Sequence, residues 1–360
     1  MSDAGEQRGG ASKQRGAEAA PRSSGALRPL LVAALLGAVG LIAVTLWLGS
    51  PGDLRQIFSL SWRTVAGGLL MLAVSFFAGG SRLAVMLRLA GSRIDVWRAV
   101  RAHILGLFAA TITPSGGGNG FAIGFALQRD GVRSDVAWSV AVYGTVLDLL
   151  FYAWTVPVAA LVLYRDDLIT ARLLWLALGV SVLSFGLWYG LAFHLKGLRH
   201  LAALIVRWRP LRRWRAGVLR FIDAVATSTS TITAGGVFPQ LALSALSLLV
   251  HAPTYVIFFL LAAELGSPLG LASTLGLLVL ISAVSQVVPT PGGSGYFEVA
   301  LTYAFTQRGA PPQVTAAVIA YRAITFYVPI VLGGLLGGTV LIGELRKNGA
   351  GNQGGGAPQA

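Results

Sequence analysis

The chain has no cysteine among its 360 residues, so neither a disulfide nor a thiolate metal site can form. Only 12% of the residues are charged and 55% are hydrophobic, which excludes an ordinary soluble globular protein. The four histidines form no HxxxH or HExxH pair, and no GxxxxGK[ST] segment occurs, so we expect no metal, no cofactor and no direct use of ATP. Alternating ten-residue amphipathic strands are also lacking, so helices must satisfy the backbone in lipid. The sequence therefore predicts an all-α polytopic membrane protein.

Apolar runs long enough to cross a bilayer, which takes about 20 residues, occur six times. Two further apolar regions, 96–128 and 268–307, are each interrupted by a Pro/Gly loop. The arm that leaves the first loop, 119–128, is too short to cross at helical rise. We interpret both regions as re-entrant helical hairpins. The six full spans are predicted at 29–48, 62–87, 136–164, 171–195, 237–263 and 313–343.

The two interrupted segments are copies of each other. Each has a Thr-Pro step, a glycine cluster, a short apolar stretch, a lone glycine and an apolar helix with a tyrosine. Three predicted spans separate the copies. Because an odd number of crossings reverses the direction in which the chain enters the membrane, the second copy is inverted relative to the first, and we expect two inverted-topology repeats. Broken apolar segments at matching places in two halves point to a transport site. The matching pairs are Pro114 and Pro291, 177 positions apart, and Gly131 with Gly309 and Tyr143 with Tyr321, each 178 apart.

Basic residues flank the predicted spans unequally. With both termini in the cytoplasm, cytoplasmic segments hold 22 Lys and Arg, including Arg82, and outer segments hold 5. Arg322 is left alone within a span. The positive-inside rule therefore places the N- and C-termini in the cytoplasm, and it explains the net charge of +14 without nucleic-acid binding. The segments 49–61, 165–170 and 264–267 are predicted to face outward.

These observations divide the chain into four parts. Within the second repeat, residues 198–222 alternate apolar positions with arginines, which is typical of an amphipathic helix on anionic lipid. A simple positive-inside anchor explains the same pattern. The predicted parts are a disordered cytoplasmic N-terminus at 1–27, a first membrane repeat at 28–164, a second repeat at 165–345 with a cytoplasmic amphipathic segment at 196–230, and a disordered C-terminus at 346–360.

We expect a cavity between the two re-entrant hairpins, and the Pro/Gly loops that would line it are the candidate site. In the second copy, glycines leave backbone N–H groups open to a ligand, and the helix that starts near Tyr296 points its positive end into the loop. A lipid phosphate is the natural anion there, although the glycines would also serve a close turn. Candidate lipid-binding residues are Pro114, Ser115, Gly116, Gly117, Asn119 and Asp148 in the first half, and Pro291, Gly292, Gly293, Ser294, Gly295, Glu298, Tyr321 and Arg322 in the second.

Charged residues inside spans need partners because an unpaired guanidinium there costs about 3 kcal/mol or more. For Arg322 the candidate partners are Glu298 and a lipid phosphate, and the sequence favours the phosphate. Asp148 is a partner for Arg322 or a proton or ion site. His251 is expected to make an interhelical hydrogen bond, and His103 to lie at the interface.

A hydrolytic enzyme is disfavoured. The segment 292–295 matches the GxSG of intramembrane serine proteases, which need a histidine base on a later helix. No histidine follows His251. We therefore expect no catalytic residue.

The chain resembles the transmembrane domain of lysylphosphatidylglycerol synthases, the MprF-type flippase domain, over most of residues 30–345. The resemblance is strongest at the second loop and the residues that follow it. The segment 289–298, Pro-Thr-Pro-Gly-Gly-Ser-Gly-Tyr-Phe-Glu, is similar to the family's P-x-P-G-G-x-G-x-F-E signature, and Tyr321-Arg322 to its Y-R. The first copy resembles the family's weaker first motif. Many members carry Glu and Arg there, whereas this chain has Gly118-Asn119-Gly120 and Gly144.

The resemblance implies a stand-alone, multi-pass flippase of the cell membrane. Its substrate would be an anionic or headgroup-modified lipid, such as aminoacyl-phosphatidylglycerol, a glycolipid or a polyprenyl-linked lipid. A lipid-binding scaffold for a lipid-modifying enzyme and a small-solute transporter are the alternatives. Aminoacyl transfer is not expected, because the chain ends about fifteen residues after its last predicted span.

Overall fold

Every element named in the computed structural model is a helix. It describes residues 51–193, 219, 223, 230–311 and 313–337, and the statements below concern these residues. The last helix contains a π-helical turn at Ala323–Tyr327. The elements are α1 Pro51–Ser59, α2 Trp62–Leu89, α3 Val96–Ile112, α4 Gly118–Arg129, α5 Ser134–Arg165, α6 Ala171–Phe193, α7 Val237–Glu264, α8 Leu271–Ser285, α9 Tyr296–Thr306 and α10 Val314–Gly337.

Four helices, α2, α5, α7 and α10, are long and apolar enough to cross a membrane. They coincide with four of the six predicted spans to within a few residues, so these four predictions are confirmed. Helix α6 covers all but the last two residues of the predicted span 171–195. The predicted span 29–48 and the amphipathic segment 198–222 lie outside the described residues. The fold is therefore that of an all-α membrane protein with several crossings.

Helix starts follow the local sequence. Ser61 caps α2, where its Oγ accepts a hydrogen bond from the backbone N–H of Thr64 at 3.3 Å. Asp95 caps α3 by accepting from the N–H of Trp97 at 3.0 Å. Each cap satisfies one of the first N–H groups, which lack partners within a helix.

Helices α2 and α3 cross at two adjacent glycines. A Cβ atom on Gly80 would lie 2.6 Å from the Cα of Val100, and one on Gly79 would lie 2.1 Å from Nε2 of His103. Small residues allow this approach because no side chain separates the two backbones. The crossing holds the first helix–loop–helix unit, α3 and α4, against the long helix α2.

Contacts between connecting segments define one end of the helical assembly. The N–H of Ser61 donates to Glu264 at 2.7 Å, and Ser273 donates to Asp166 at 2.7 Å, which lowers the pKa of that carboxyl group. Arg308 donates to the carbonyl of Leu168. All three segments predicted to face outward thus contribute to these contacts, although the side of the membrane stays a prediction.

The opposite end carries the ion pair between Arg101 and Asp130, at 2.5 Å. It joins the beginning of α3 to the residue that follows α4. The beginning of α3 and the end of α4 thus meet at this pair, whereas the beginning of α8 and the residues after α9 contact the connection 165–170.

Candidate functional site at the two loops

The two Pro/Gly loops fold in the same way. In each loop, the carbonyl of the Thr accepts a hydrogen bond from the backbone N–H three residues later. The carbonyl of the Pro that follows likewise accepts from the N–H three residues after it. Two consecutive residues in each loop have positive φ, the region that favours glycine. The bonds are Gly116 to Thr113 at 3.3 Å, Gly117 to Pro114 at 3.1 Å, Gly293 to Thr290 at 3.2 Å and Ser294 to Pro291 at 3.0 Å, and the consecutive positive-φ residues are Ser115 with Gly116 and Gly292 with Gly293. The second loop has a third residue of positive φ, Gly295 at 87°.

The loops also contact each other. The backbones of Pro114 and Pro291 pair in a short antiparallel bridge. The hydroxyl of Ser115 donates to the carbonyl of Val288 at 3.0 Å. Segments that lie 177 positions apart therefore meet, and the first loop is hydrogen-bonded to the residues that lead into the second.

A cavity of about 930 Å³ lies beside the first loop. Five of the predicted site residues line it, which are Ser115, Gly116, Gly117, Asn119 and Asp148. Most of the wall is apolar, and the remaining polar side chains come from α5, α7 and the end of α8. These other lining residues are Leu107, Ala110, Gly120, Phe121, Trp138, Ala141, Val142, Thr145, Leu149, Tyr152, His251, Gln286 and Val287.

A cluster of charged and polar side chains contributes to the cavity wall. Oδ1 of Asp148 accepts from Nη1 of Arg82 at 2.6 Å and lies 3.2 Å from Nε2 of His251. The same Arg82 nitrogen donates to Ser247 at 3.1 Å. The side chains of Asp148 and His251 are 25% and 21% exposed, but that of Arg82 only 5%. Asp148 thus presents a paired carboxylate to the cavity, with Arg82 behind it.

This cluster corrects two expectations. Arg82 was counted with the cytoplasmic flank, but it is buried in α2, so Arg322 is not the only arginine inside a span. His103, expected at the interface, is 2% exposed, and neither ring nitrogen has a hydrogen-bond partner within the described residues. The position of Arg82 inside the apolar run 62–87 was the available signal. His251 makes the predicted interhelical hydrogen bond, with Asp148 of α5.

The second loop has a different environment. Nε of Arg322 donates to Glu298 at 2.5 Å, and its Nη2 donates to the carbonyl of Gly292 at 3.1 Å and to Ser294 at 3.2 Å. Arg322 is 7% exposed and Glu298 is 3% exposed. A guanidinium can serve three acceptors at once because its donors are spread over a rigid plane. Arg322 therefore ties α10 to the second loop.

Glu298 has a second bond that fixes the start of α9. Its Oε2 accepts from the N–H of Gly295 at 2.7 Å, which caps the helix. The guanidinium lies between two aromatic rings, 5.1 Å from the centroid of Phe297 and 4.7 Å from that of Phe326. Tyr321, which is also buried, stacks on Phe297 with centroids 5.8 Å apart.

The predicted site residues therefore fall into two groups. Those of the first half line the cavity, apart from Pro114, which contacts Pro291. Those of the second half do not line it, and Gly292, Ser294, Glu298 and Arg322 form a closed network instead. Gly293 packs against Ser285 and Gly295 begins α9. Asp148 pairs with Arg82, and Arg322 has the first of its two candidate partners, Glu298.

The long apolar helices, together with the ion pairs Arg82–Asp148 and Arg322–Glu298 that connect helices, define a multi-pass α-helical membrane protein. The family model described as the lysylphosphatidylglycerol synthase TM region matches residues 30–333. The chain belongs to this family. A search of curated proteins found no match.

Proposed function

We propose that this protein moves an anionic or headgroup-modified lipid between membrane leaflets, through the cavity beside the first loop. One observation carries the proposal: a cavity with a mostly apolar wall includes the polar cluster of Asp148 and His251. Such a wall suits a molecule with an apolar body and a charged end. Membership of the lysylphosphatidylglycerol synthase TM region family supports a lipid-related role, because this region is typically the flippase part and not the synthase domain.

Exposed apolar residues at the cavity support entry from the membrane. Phe121 is 63% exposed and Val287 is 77% exposed, and both contribute to the wall. On a helical membrane protein such side chains can face lipid tails, so a lipid could enter without leaving the hydrocarbon. A small polar solute would gain little from this lining.

The loops supply the second part of the proposal. We take α3–α4 and α8–α9 as re-entrant hairpins of opposite orientation, whose outer ends lie at opposite ends of the helical assembly. Irregular backbone at membrane depth is tolerated where it faces protein or a water-filled cavity. The Arg322 network would hold the second loop fixed, while the first loop and the N-terminus of α4 present backbone to the headgroup. The substrate would be aminoacyl-phosphatidylglycerol, a glycolipid or a polyprenyl-linked lipid of the cell membrane.

A leaflet-exposure assay tests the proposal. The protein is reconstituted into vesicles that contain a fluorescent phosphatidylglycerol, and a membrane-impermeant quencher reports transfer to the outer leaflet. Thr145 is exposed on α5 and lines the cavity, so Thr145→Trp should obstruct it and reduce the rate at least tenfold. Val158→Trp is the matched control, because Val158 is 61% exposed on the same helix and does not line the cavity.

Two results would contradict the proposal. Equal rates for the wild type, Thr145→Trp and protein-free vesicles would exclude lipid movement. Co-purification of a lipid, identified by mass spectrometry, without any exposure would instead favour a scaffold that presents the lipid to a modifying enzyme.

A further inference from the structure

We propose that His251 binds a proton at the cavity wall, and that this proton and an anionic lipid headgroup bind together. The inference rests on the proposed function, since it names what drives or regulates that same site. It starts from the geometry of Asp148, which faces both Arg82 and His251.

The charges of the cluster change with one proton. Arg82 and Asp148 form an ion pair and sum to zero. Nε2 of His251 carries the hydrogen donated to Oδ1 of Asp148, because a carboxylate only accepts, and this leaves Nδ1 as the basic nitrogen. When a proton from solvent water bonds to Nδ1, the Nε2–H bond to Asp148 persists and the cluster becomes net positive. Among Arg82, Asp148 and His251, only His251 can take up a proton without breaking the Arg82–Asp148 pair, because a guanidinium has no acceptor.

The surroundings favour this role for His251 over the other groups that face the cluster. Its ring is partly exposed and stacks on Phe151 with centroids 4.3 Å apart, an aromatic face that stabilises a cation. His103 on α3 also faces Arg82 and Asp148, but it is 2% exposed, and burial without a partner disfavours its charged form. Tyr152 on α5 and Tyr255 on α7 contact each other at 3.5 Å and stay neutral phenols in this pH range.

A net positive cluster would attract a phosphate, and a neutral one would release it. Binding of the proton and of the lipid must then be reciprocally linked, with each raising the affinity for the other by the same factor, typically five- to a hundredfold. If the two sides of the membrane differ in pH, loading on the acidic side and release on the other give lipid movement a direction.

The first experiment is a nuclear magnetic resonance titration of ¹⁵N-histidine-labelled wild type in nanodiscs from pH 5 to 8. The chain has only four histidines, at 103, 194, 200 and 251, so His→Gln variants assign the signals, by elimination if His251→Gln does not fold. We expect the His251 signal to titrate, and at higher pH when the nanodiscs contain phosphatidylglycerol than when they contain phosphatidylcholine. A His251 signal that does not titrate between pH 5 and 8 would overturn the proposal.

The second experiment measures binding of phosphatidylglycerol at pH 5.5 and pH 8. The wild type should bind at least fivefold more tightly at pH 5.5, and His251→Gln should lose this difference. His200→Gln, a histidine outside the described residues, is the control and should keep it. The same pH dependence in His251→Gln as in the wild type would refute the role of His251. If proton-linked binding is found but no lipid is exposed in vesicles at any pH, the proton site stands and the proposed function fails.

Discussion

At the scale of single residues, the two loops solve one backbone problem differently. Ser115 and Gly292 occupy matching positions and both have positive φ, 51° and 56°. Ser115 is an L-residue in a region that costs about 1–2 kcal/mol, and its hydroxyl is bonded to Val288 across the loops. Gly292 cannot be replaced in the same way, because a Cβ there would lie 2.4 Å from Cε2 of Phe326.

This difference can be measured with two glycine variants. Gly292→Ala should destabilise the protein by about 3 kcal/mol or more, because backbone strain adds to overlap with Phe326. Gly116→Ala has a similar φ of 67° but an open neighbourhood, with its nearest contact at 3.8 Å, so it should cost only about 1–2 kcal/mol. Thermal unfolding in detergent checks both. Equal losses in the two variants would show that Phe326 does not constrain the loop.

The buried pair of Arg322 and Glu298 permits a double-mutant cycle. Arg322→Ala should destabilise by about 3–5 kcal/mol, because it leaves Glu298 buried without its cation. Arg322→Lys should restore little of the lost stability, since an ammonium cannot serve three acceptors in one plane. The double change to Ala should cost clearly less than the sum of the single changes. Additive losses would mean that the pair is not coupled, and a stable but inactive Arg322→Ala would indicate a headgroup ligand instead.

At the scale of elements, the crossing of α2 and α3 positions the cavity, because α2 carries Arg82 and α3 leads to the first loop. Gly80→Ala should destabilise by about 3 kcal/mol, since the new methyl group meets the backbone of Val100 as well as its side chain, and the backbone cannot move aside. Gly67→Ala on the same helix is the control. Its Cβ would lie 3.6 Å from Leu260, an ordinary contact, so higher helix propensity should leave stability unchanged or raise it by up to about 1 kcal/mol. The fraction of each variant that stays folded after heating, relative to the wild type, measures both effects. A Gly80→Ala variant as stable as the wild type would refute the close crossing.

The elements also show what a sequence can and cannot predict. Helices α2, α5, α7 and α10 were predicted because about 20 apolar residues in a row are a local property. The two loops were predicted because Pro and Gly interrupt a helix through their own backbone conformation, which is also a local property. The burial of Arg82 was not, since it depends on Asp148, 66 positions away, on another helix. The cavity beside the first loop was not predicted either, because similar turns have different surroundings, with Arg322 in one half and Gly144 at the counterpart position in the other.

At the scale of the whole molecule, the orientation in the membrane is predicted from the basic residues that flank the spans. Because Arg82 lies within α2, the number of basic residues in the predicted cytoplasmic segments falls by one. The excess of basic residues over the outer segments remains. Because the chain has no cysteine, single-cysteine variants give an unambiguous labelling experiment in sealed cells. Arg165→Cys, at a side chain 80% exposed, should react with an impermeant maleimide from outside, and Arg213→Cys should react only after permeabilisation. Labelling of residue 213 in intact cells would refute the topology.

The contact between the loops has a mechanical consequence. Ser115 and Val288 join the two helix–loop–helix units, α3–α4 and α8–α9, which are otherwise distant in sequence. A displacement of one unit relative to the other must therefore strain or break the hydrogen bond between Ser115 and Val288 and the backbone bridge between Pro114 and Pro291. A covalent cross-link between the two loops at this point should therefore prevent the two units from moving relative to each other.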